Sequence, residues 1–483
     1  MTYRQAIDYL FSQLPMFQRI GPAAYKANLD NTLALSEYLG QPERRFQSIH
    51  IAGTNGKGSV AHMLASVLQE HQLRTGLATS PHLKDFRERI RINGEMIPKR
   101  AVTAFVKKHR HFFEPLKASF FEISIAMTFD YFARSQVDVA VVETGLGGRL
   151  DSTNIVRPSL CIITGIHYDH TALLGNSLEQ IATEKAGIIK EGVPVLIGRE
   201  QPEVHHVFEK TARQKGAPLF LASDLVKLLP DVEALPLSRL LPDADTGLKA
   251  AAGTAGGSAI GSELLQQSLP PLQESFPHLQ EPPHLQESFP HLQQIVTESD
   301  WGHGTRFGCD LLGHYQKENM RTALAALLIL AREGEYQPNV GKIGVGLASV
   351  RRNTGFAGRW QVMGHQPLTI CDTAHNVEGI RVVVSQLKLL VHDKLHIVFG
   401  VVDDKDLDGV LACLPREADY YFCKPDVPRG LDAGRLVSMA GRYGLVGQAY
   451  PTVKKALEMA RKQAGPRDLI FIGGSTFVVA EVV

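Results

Sequence analysis

Short apolar runs alternate with amphipathic stretches from about Arg45 to Ser223. The strand-like runs are residues 46–52, 75–79, 138–143, 159–165 and 194–198. Between them lie helical patterns over residues 59–71, 122–135 and 177–190, the last opening with Ser177 and Gln180 at the spacing of a capping box. Strands separated by helices predict a mainly parallel sheet covered on both faces. A second alternating block runs from Leu368 to Val483. Its strands are expected at 368–371, 396–401, 420–423 and 469–472, with helices at 379–391 and 453–464. That pattern predicts a smaller doubly wound, Rossmann-like α/β domain. The helical pattern breaks at N-T-G-F-A-G-R, residues 353–359, which divides the chain into domains 1–355 and 356–483.

One stretch, roughly 242–300, fits neither block. The nonapeptide L-Q-E-S-F-P-H-L-Q occurs at 272–280 and again at 285–293, after a run rich in glycine, alanine and serine. Units so short and proline-punctuated cannot stack into a solenoid. The expectation is a low-complexity surface insertion without a packed core, its regularly placed histidines solvated rather than metal-bound.

Composition narrows the class. The chain of 483 residues is 44% apolar and 21% charged, with a net charge of +1. That balance asks for neither a nucleic-acid nor a membrane partner. No apolar run approaches the roughly 20 residues that span a bilayer, and the first residues, M-T-Y-R-Q, lack an apolar signal core. Cys161, Cys309, Cys371, Cys413 and Cys423 are scattered, so free thiols in a reducing compartment are expected. Together these predict a cytoplasmic protein, and a monomer.

The chemistry concentrates at I-H-I-A-G-T-N-G-K-G-S-V, residues 49–60. An apolar strand runs through a glycine-rich turn into a helix pattern that starts near Ser59. In such a turn backbone N–H groups and a lysine converge on a polyphosphate at a helix N-terminus. Gly53, Gly56 and Gly58 remove Cβ atoms where the backbone approaches the anion, Lys57 supplies charge and Ser59 a hydroxyl. An ordinary strand–turn–helix connection is the alternative. The string departs from G-x-x-x-x-G-K-[ST], which points away from common kinases and GTPases. Glu143 ends an apolar strand, where a Mg²⁺ ligand belongs beside a phosphate loop; a loop-stabilising acid is the alternative. Asp169 and His170 follow the next strand in G-I-H-Y-D-H-T.

Further motifs follow in order: T-S-P-H-L-K-D-F-R-E-R-I-R-I-N-G, E-T-G-L-G-G-R-L-D-S-T-N, D-H-T-A-L-L-G, E-K-A-G-I-I-K, H-Y-Q-K-E-N, A-G-R-W, D-T-A-H-N and G-G-S-T-F-V-V-A-E. Outside 242–300, the chain closely resembles the folylpolyglutamate synthase/dihydrofolate synthase branch of the Mur ligase superfamily. The resemblance implies a P-loop ATPase domain with a mainly parallel sheet, plus a smaller C-terminal Rossmann-like domain. It implies an ATP-dependent ligase adding L-glutamate to a folate or dihydropteroate carboxylate through an acyl phosphate. Gly53, Thr54, Asn55, Gly56, Lys57, Gly58 and Ser59 would hold ATP, with Asn319, Arg359 and Asp372 as further nucleotide contacts. Ser80, Glu143, His170 and Lys185 would serve two Mg²⁺ sites, Lys185 as a carbamate. Such a carbamate replaces a cation that repels Mg²⁺ with an anion that binds it; a plain ion pair of Lys185 with Glu143 or Glu184 is the alternative. Lys57, Lys185, His170 and His375 are the implied catalytic groups. Phe120, Phe121, Glu122, Leu150, Asp151 and Ser152 would line the pterin pocket, and Ser475 the glutamate end.

Three residues depart from the family pattern. Tyr315 stands where histidine precedes the glutamine, Ala357 where proline precedes G-R, and Thr373 where glycine precedes A-H-N. The rivals are another Mur-type amino-acid ligase and, from a different class, a P-loop kinase or nucleotide switch. Only about 45 residues precede the phosphate loop in this sequence, which argues against the extra N-terminal UDP-binding domain of such ligases. A kinase would leave the second domain's motifs unexplained. Whether the acceptor is dihydropteroate, a glutamylated folate or both stays open at this point.

Overall fold

The computed structural model describes residues 1–12, 28–230, 292–334, 336–403 and 406–483. Eight strands form the large sheet: β1 (Gln47–Ala52), β2 (Thr75–Ala78), β3 (Ile90–Ile92), β4 (Glu95–Met96), β5 (Val139–Glu143), β6 (Leu160–Ile163), β7 (Val195–Ile197) and β8 (Leu219–Leu221). Their order is 4-3-2-5-1-6-7-8. The six strands from β2 to β8 in that order run parallel, and β3 and β4 turn antiparallel at one edge. The near-continuous apolar runs of β1 and β5 are buried because helices cover both faces. The chain leaves β1 for β2 on one side and later crosses to β6 on the other. The carboxyl ends of β1, β5 and β6 therefore border the crevice in which such sheets bind ligands.

On one face, helix Lys57–Glu70 is buried by helices Gln316–Arg332 and Val340–Ala348 through Val60, Leu64 and Val67 against Leu324, Leu328 and Leu347. Helices Lys57–Glu70 and Val340–Ala348 cross closely. A Cβ on Gly346 would lie 2.6 Å from the Val67 Cα, and the Gly346 carbonyl accepts the Ser66 hydroxyl at 2.6 Å. The opposite face is aromatic, with Phe105, Phe113, Phe129 and Phe132 from helices Lys99–Leu116 and Phe120–Arg134. Helix Leu178–Ala186 opens on the predicted box: Ser177 Oγ accepts from Gln180 N–H at 3.2 Å, and the Gln180 side chain accepts from Ser177 N–H.

A small antiparallel sheet was not foreseen. It comprises β9 (Lys227–Leu229), β10 (Gln293–Ser299) and β11 (Gly302–Cys309), with β10 central. This corrects the expected insertion: its last residues form β10 and the turn after it, and bury Ile295 in the main core. The hydrophobic effect decides the outcome, because Ile295, Phe307 and Cys309 line up on one side of the hairpin against that core. The rest of the insertion, 242–291, lies outside the described residues.

The second sheet contains β12 (Gln361–His365), β13 (Leu368–Cys371), β14 (Leu395–Phe399), β15 (Asp419–Cys423), β16 (Gly447–Tyr450) and β17 (Leu469–Gly473), ordered 12-13-17-14-15-16. All are parallel except the edge strand β12. Helix Val377–Leu387 buries Ile380 and Val383 on one face, and helix Val453–Gln463 buries Val453 and Ala456 on the other. Four of the five free cysteines are buried, and among the described residues no helix is long and apolar enough to cross a membrane.

The Gly346 crossing gives a test. Gly346→Val forces the helices apart, because the atom it meets is backbone and cannot turn aside. Overpacking of this kind costs about 1–3 kcal/mol, so the thermal unfolding midpoint should fall by several degrees. An unchanged midpoint would refute the close crossing.

Candidate active site

The chain turns out of β1 at Ala52 and enters its helix at Lys57, two residues before the expected start. Gly56 caps that helix with φ +94°, and a Cβ there would lie 2.6 Å from Asn319 Oδ1. At Gly53 a Cβ would lie 1.9 Å from Thr164 Oγ1. The loop is fastened from behind by residues after β6. Thr54 N–H donates to the Gly165 carbonyl at 2.7 Å, and the Thr164 hydroxyl donates to the Asn55 carbonyl at 2.7 Å. The first-turn N–H groups of the helix lack intrahelical acceptors and carry its positive dipole end. Lys57 Nζ curls back to the carbonyls of Gly53 (3.0 Å) and Thr54 (3.2 Å).

A cavity of about 310 Å³ opens on this loop. It gathers every residue the sequence nominated except Asn319, which packs behind the loop, and Asp372, which is 2% exposed. Glu143 is buried at the end of β5 and accepts the Ser80 N–H at 3.1 Å. Burial pushes its carboxyl above the ordinary range, opposed by Lys57, the Ser80 N–H, Arg359 and Arg89. Lys185 is 3% exposed and donates to the Gly53 carbonyl at 2.8 Å. Burial, then the Lys57 charge, push its ammonium down to about 7, against the pull of Asp169, Asp151 and Glu184. The plain ion pair does not form among the described residues: Glu184 is taken by Arg149 at 2.8 Å, and Lys185 donates to backbone.

One wall of the cavity comes from the start of helix Phe120–Arg134. Ser119 caps it, and Glu122 reciprocates by accepting the Ser119 N–H at 2.5 Å and the Asn31 amide at 3.3 Å. The Phe121 ring lies against backbone, since a Cβ on Gly145 would sit 2.4 Å from its Cζ. Leu150 and Ser152 continue the wall. Asp151 between them accepts from Leu146 N–H (2.8 Å), Thr153 N–H (3.0 Å) and the Thr153 hydroxyl (2.5 Å). Both acids hold their loops in shape while lining the cavity.

The second sheet supplies the other side through Arg359, His375 and Ser475, whose hydroxyl caps helix Thr476–Ala480. His375 Nδ1 lies 2.9 Å from the Thr373 carbonyl, so that nitrogen carries the proton and Nε2 is the basic one. A polar seam joins the two halves. Asn55 and Asn376 exchange amide hydrogen bonds of 3.3 and 3.1 Å, and Asn376 also donates to Asp169 at 3.3 Å. Asp169 stands 3.6 Å from His375 Nε2 and 3.7 Å from His170 Nε2.

Sequence reasoning gave no role to Arg89, Asn376 or Arg429. Arg89 is 6% exposed, donates to His82 Nδ1 at 2.8 Å and lies 5.3 Å over the Phe120 ring; burial brings it down to about 10. Nothing in R-E-R-I-R sets it apart from its neighbours. Asn376 carried a signal in its position before a helix, where asparagine caps.

Residues 358–476 match the glutamate ligase domain of Mur ligases, and residues 51–221 the Mur ligase middle domain. The chain is 30% identical over 467 residues to the dihydrofolate synthase/folylpolyglutamate synthase of Bacillus subtilis, covering 95% of this chain and 94% of that protein. It is 32% identical over 491 residues to a Haloferax volcanii protein described as "Probable bifunctional folylpolyglutamate synthase/dihydropteroate synthase". There the match covers all of this chain but only 50% of the relative, so the chain spans half that relative's length. The Escherichia coli FolC structure in complex with DHPP and ADP superposes with a TM-score of 0.77 at 25% identity, covering 100% of this chain and 97% of that one. The phosphate loop, the second sheet facing it and this near full-length similarity establish that the chain belongs to the folylpolyglutamate synthase/dihydrofolate synthase family of Mur ligases, which are ATP-dependent ligases.

Proposed function

We propose that the cleft joins L-glutamate to the carboxylate of dihydropteroate or of a folate that already carries glutamate. Residues 1–355 supply the ATP-binding half and residues 356–483 the half that closes on it. One observation carries this reading: a single cavity connects the phosphate loop, the Phe120–Phe121 wall and Ser475. An aromatic wall suits a flat pterin, and the loop suits the ATP phosphates. The acceptor's carboxylate oxygen attacks the γ-phosphorus and ADP leaves. The glutamate nitrogen, as the neutral amine, then attacks the acyl carbon, phosphate departs and the nitrogen loses one proton, keeping the other as the amide N–H. Lys57 and Arg359 offset the charge spreading over the phosphoryl oxygens. His375 Nε2, backed by Asp169, takes a proton from the incoming amine. Water would destroy the acyl phosphate, so the seam at Asn55 and Asn376 has to be shut during turnover.

The residues fit Mg²⁺ as an ion held by few protein groups. Among the described residues no three His, Cys, Asp or Glu side chains converge as a closed cage. Mg²⁺ uses one or two carboxylates and completes its shell with phosphate oxygens and water. Glu143 with Ser80 would hold one ion, and His170 with a carbamylated Lys185 a second. When bound, the ions would neutralise developing phosphate charge. Lys185 is suited to the modification because burial favours its neutral amine. A bond forms between that nitrogen and CO₂ carbon, and the nitrogen's proton leaves to solvent.

Two outcomes are expected. Glu143→Gln keeps the hydrogen bond from Ser80 but loses the charge, and should cut turnover at least about a hundredfold with an unchanged melting midpoint. In the wild type, phosphate release should need both an acid acceptor and glutamate. Release with either alone would favour the kinase or switch reading, and near-normal turnover of Glu143→Gln would remove its metal role.

For Lys185 the sign of the pH dependence is fixed. The bare amine's folded value of about 7 lies below the ordinary 10.5, so the native chain sheds a proton that the unfolded chain keeps. Stability contributed by the uncarbamylated site therefore rises with pH across that window. Only the neutral amine adds CO₂, so a ¹³C carbamate signal in labelled bicarbonate should grow as pH passes upward through about 7. Lys185→Ala should lose the signal and most turnover, with partial rescue by a short carboxylic acid. A wild-type spectrum without the signal at every pH would rule the carbamate out.

A further inference from the structure

Asp372 follows β13 directly and was expected to touch nucleotide; its carboxylate already holds three hydrogen bonds. Oδ1 accepts the Ala374 N–H at 2.7 Å. Oδ2 accepts the Trp360 N–H at 2.8 Å and the Tyr315 hydroxyl at 2.7 Å. Arg359 Nη1 stands 3.8 Å from Oδ1. A carboxylate offers about four lone-pair positions. Three are filled by fixed donors and the fourth side faces a guanidinium that also lines the cavity. Asp372 therefore acts as a hub that sets how far Arg359 can lean into the cleft.

Tyr315 is the one of these three donors that precedes residue 356. It caps helix Gln316–Arg332, the helix whose Asn319 packs against the phosphate loop at Gly56. Gly313, at φ +115°, makes room for the ring: a Cβ there would lie 2.9 Å from Tyr315 Cε1. Burial, then the Asp372 charge, raise the phenol far above its ordinary range, so it stays a donor. The other two departures from the family pattern are close by. Thr373 Cγ2 would be 3.1 Å from a Cβ on Gly358, and Thr373 N–H donates to the Gly358 carbonyl at 2.9 Å, beside Ala357. The three unusual residues thus surround one turn.

We propose that Tyr315 is a positioning residue for the phosphate chemistry: by donating to Asp372 it leaves the Arg359 guanidinium free to face the phosphate loop. Without the hydroxyl, Oδ2 loses a donor inside a buried site. An under-satisfied buried carboxylate is costly, and the nearest mobile donor is Arg359. The guanidinium then turns from the cleft towards Asp372, and the ATP phosphates lose a cation. Tyr315 acts through Arg359 and touches no substrate. This rests on the proposed ligase reading only for its kinetic arm.

The test is a double-mutant cycle on the full chain with Tyr315→Phe, Arg359→Met and the double variant. Tyr315→Phe keeps the ring in its packed position, so the fold is retained. Binding of a non-hydrolysable ATP analogue should weaken about tenfold in Tyr315→Phe and in Arg359→Met. The double variant should bind no worse than Arg359→Met, because a residue acting through another is non-additive with it. In turnover the loss should fall on kcat/KM for ATP, with KM for glutamate unchanged. Wild-type analogue affinity in Tyr315→Phe, or additive losses in the double variant, would overturn the proposal. A wild type that binds the analogue but makes no amide would sink the ligase reading and leave the binding cycle intact as the judge of Tyr315.

Discussion

Two lysines share one carbonyl. Lys57 and Lys185 both donate to the Gly53 oxygen, at 3.0 and 2.8 Å. Like charges this close inside a protein repel strongly, and Lys57 is the second cause, after burial, of the depressed Lys185 ammonium. The arrangement holds only because the Gly53 backbone is immobilised. Thr164 packs where a Cβ would be, Gly165 accepts from Thr54, and Thr164 bonds the Asn55 carbonyl. Glu143, Asp151 and Asp169 surround the loop and answer an excess of positive charge, which the dipole of the first helical turn increases. A polyanion fits such a place, and Lys185 relieves the conflict most simply by giving up its own charge.

That constraint explains why the loop was legible in sequence and much of its support was not. Glycine, lysine and serine at fixed spacing between a strand and a helix have few explanations. Strand-end acids such as Glu143 are equally readable, because a charged residue ending an apolar run must face something. Both doubly wound blocks followed from alternation alone. The hairpin of β10 and β11 did not, because Gly302, His303, Gly304 and Gly308 dilute its pattern and only Phe307 and Cys309 point inward near its end. Its partner β9 lies on the far side of the insertion, beyond any local signal. Arg89 stayed hidden because burial of one arginine in a basic run depends on His82 and Phe120, which only the fold brings near.

Family resemblance located residues better than it located their work. Asp372 and Asn319 lie outside the cavity lining: one holds three fixed hydrogen bonds and the other supports the loop from behind. Glu122 and Asp151 border the cavity with oxygens already committed to backbone amides. A polar residue in a motif can be required for shape as much as for contact, and sequence does not distinguish the two. Hydrogen-bond saturation does, because a carboxylate with its acceptors filled has little left to offer a ligand.

The seam between the halves follows the same logic. Asn376 uses both amide hydrogens, on Asn55 and Asp169, while its oxygen accepts from Asn55 and from Gly379 N–H, capping helix Val377–Leu387. One side chain therefore ties the phosphate loop, the acid after β6 and a helix of the second sheet. Neutral amide bonds are individually worth only about 0.5–1.5 kcal/mol, so such a junction can open and reform with modest cost. A seam built of buried ion pairs would resist opening, and one of apolar contacts would carry no directional register. Amide pairs give a closure that is specific in geometry and cheap to reverse, which suits a cleft that must admit three substrates and exclude water while they react.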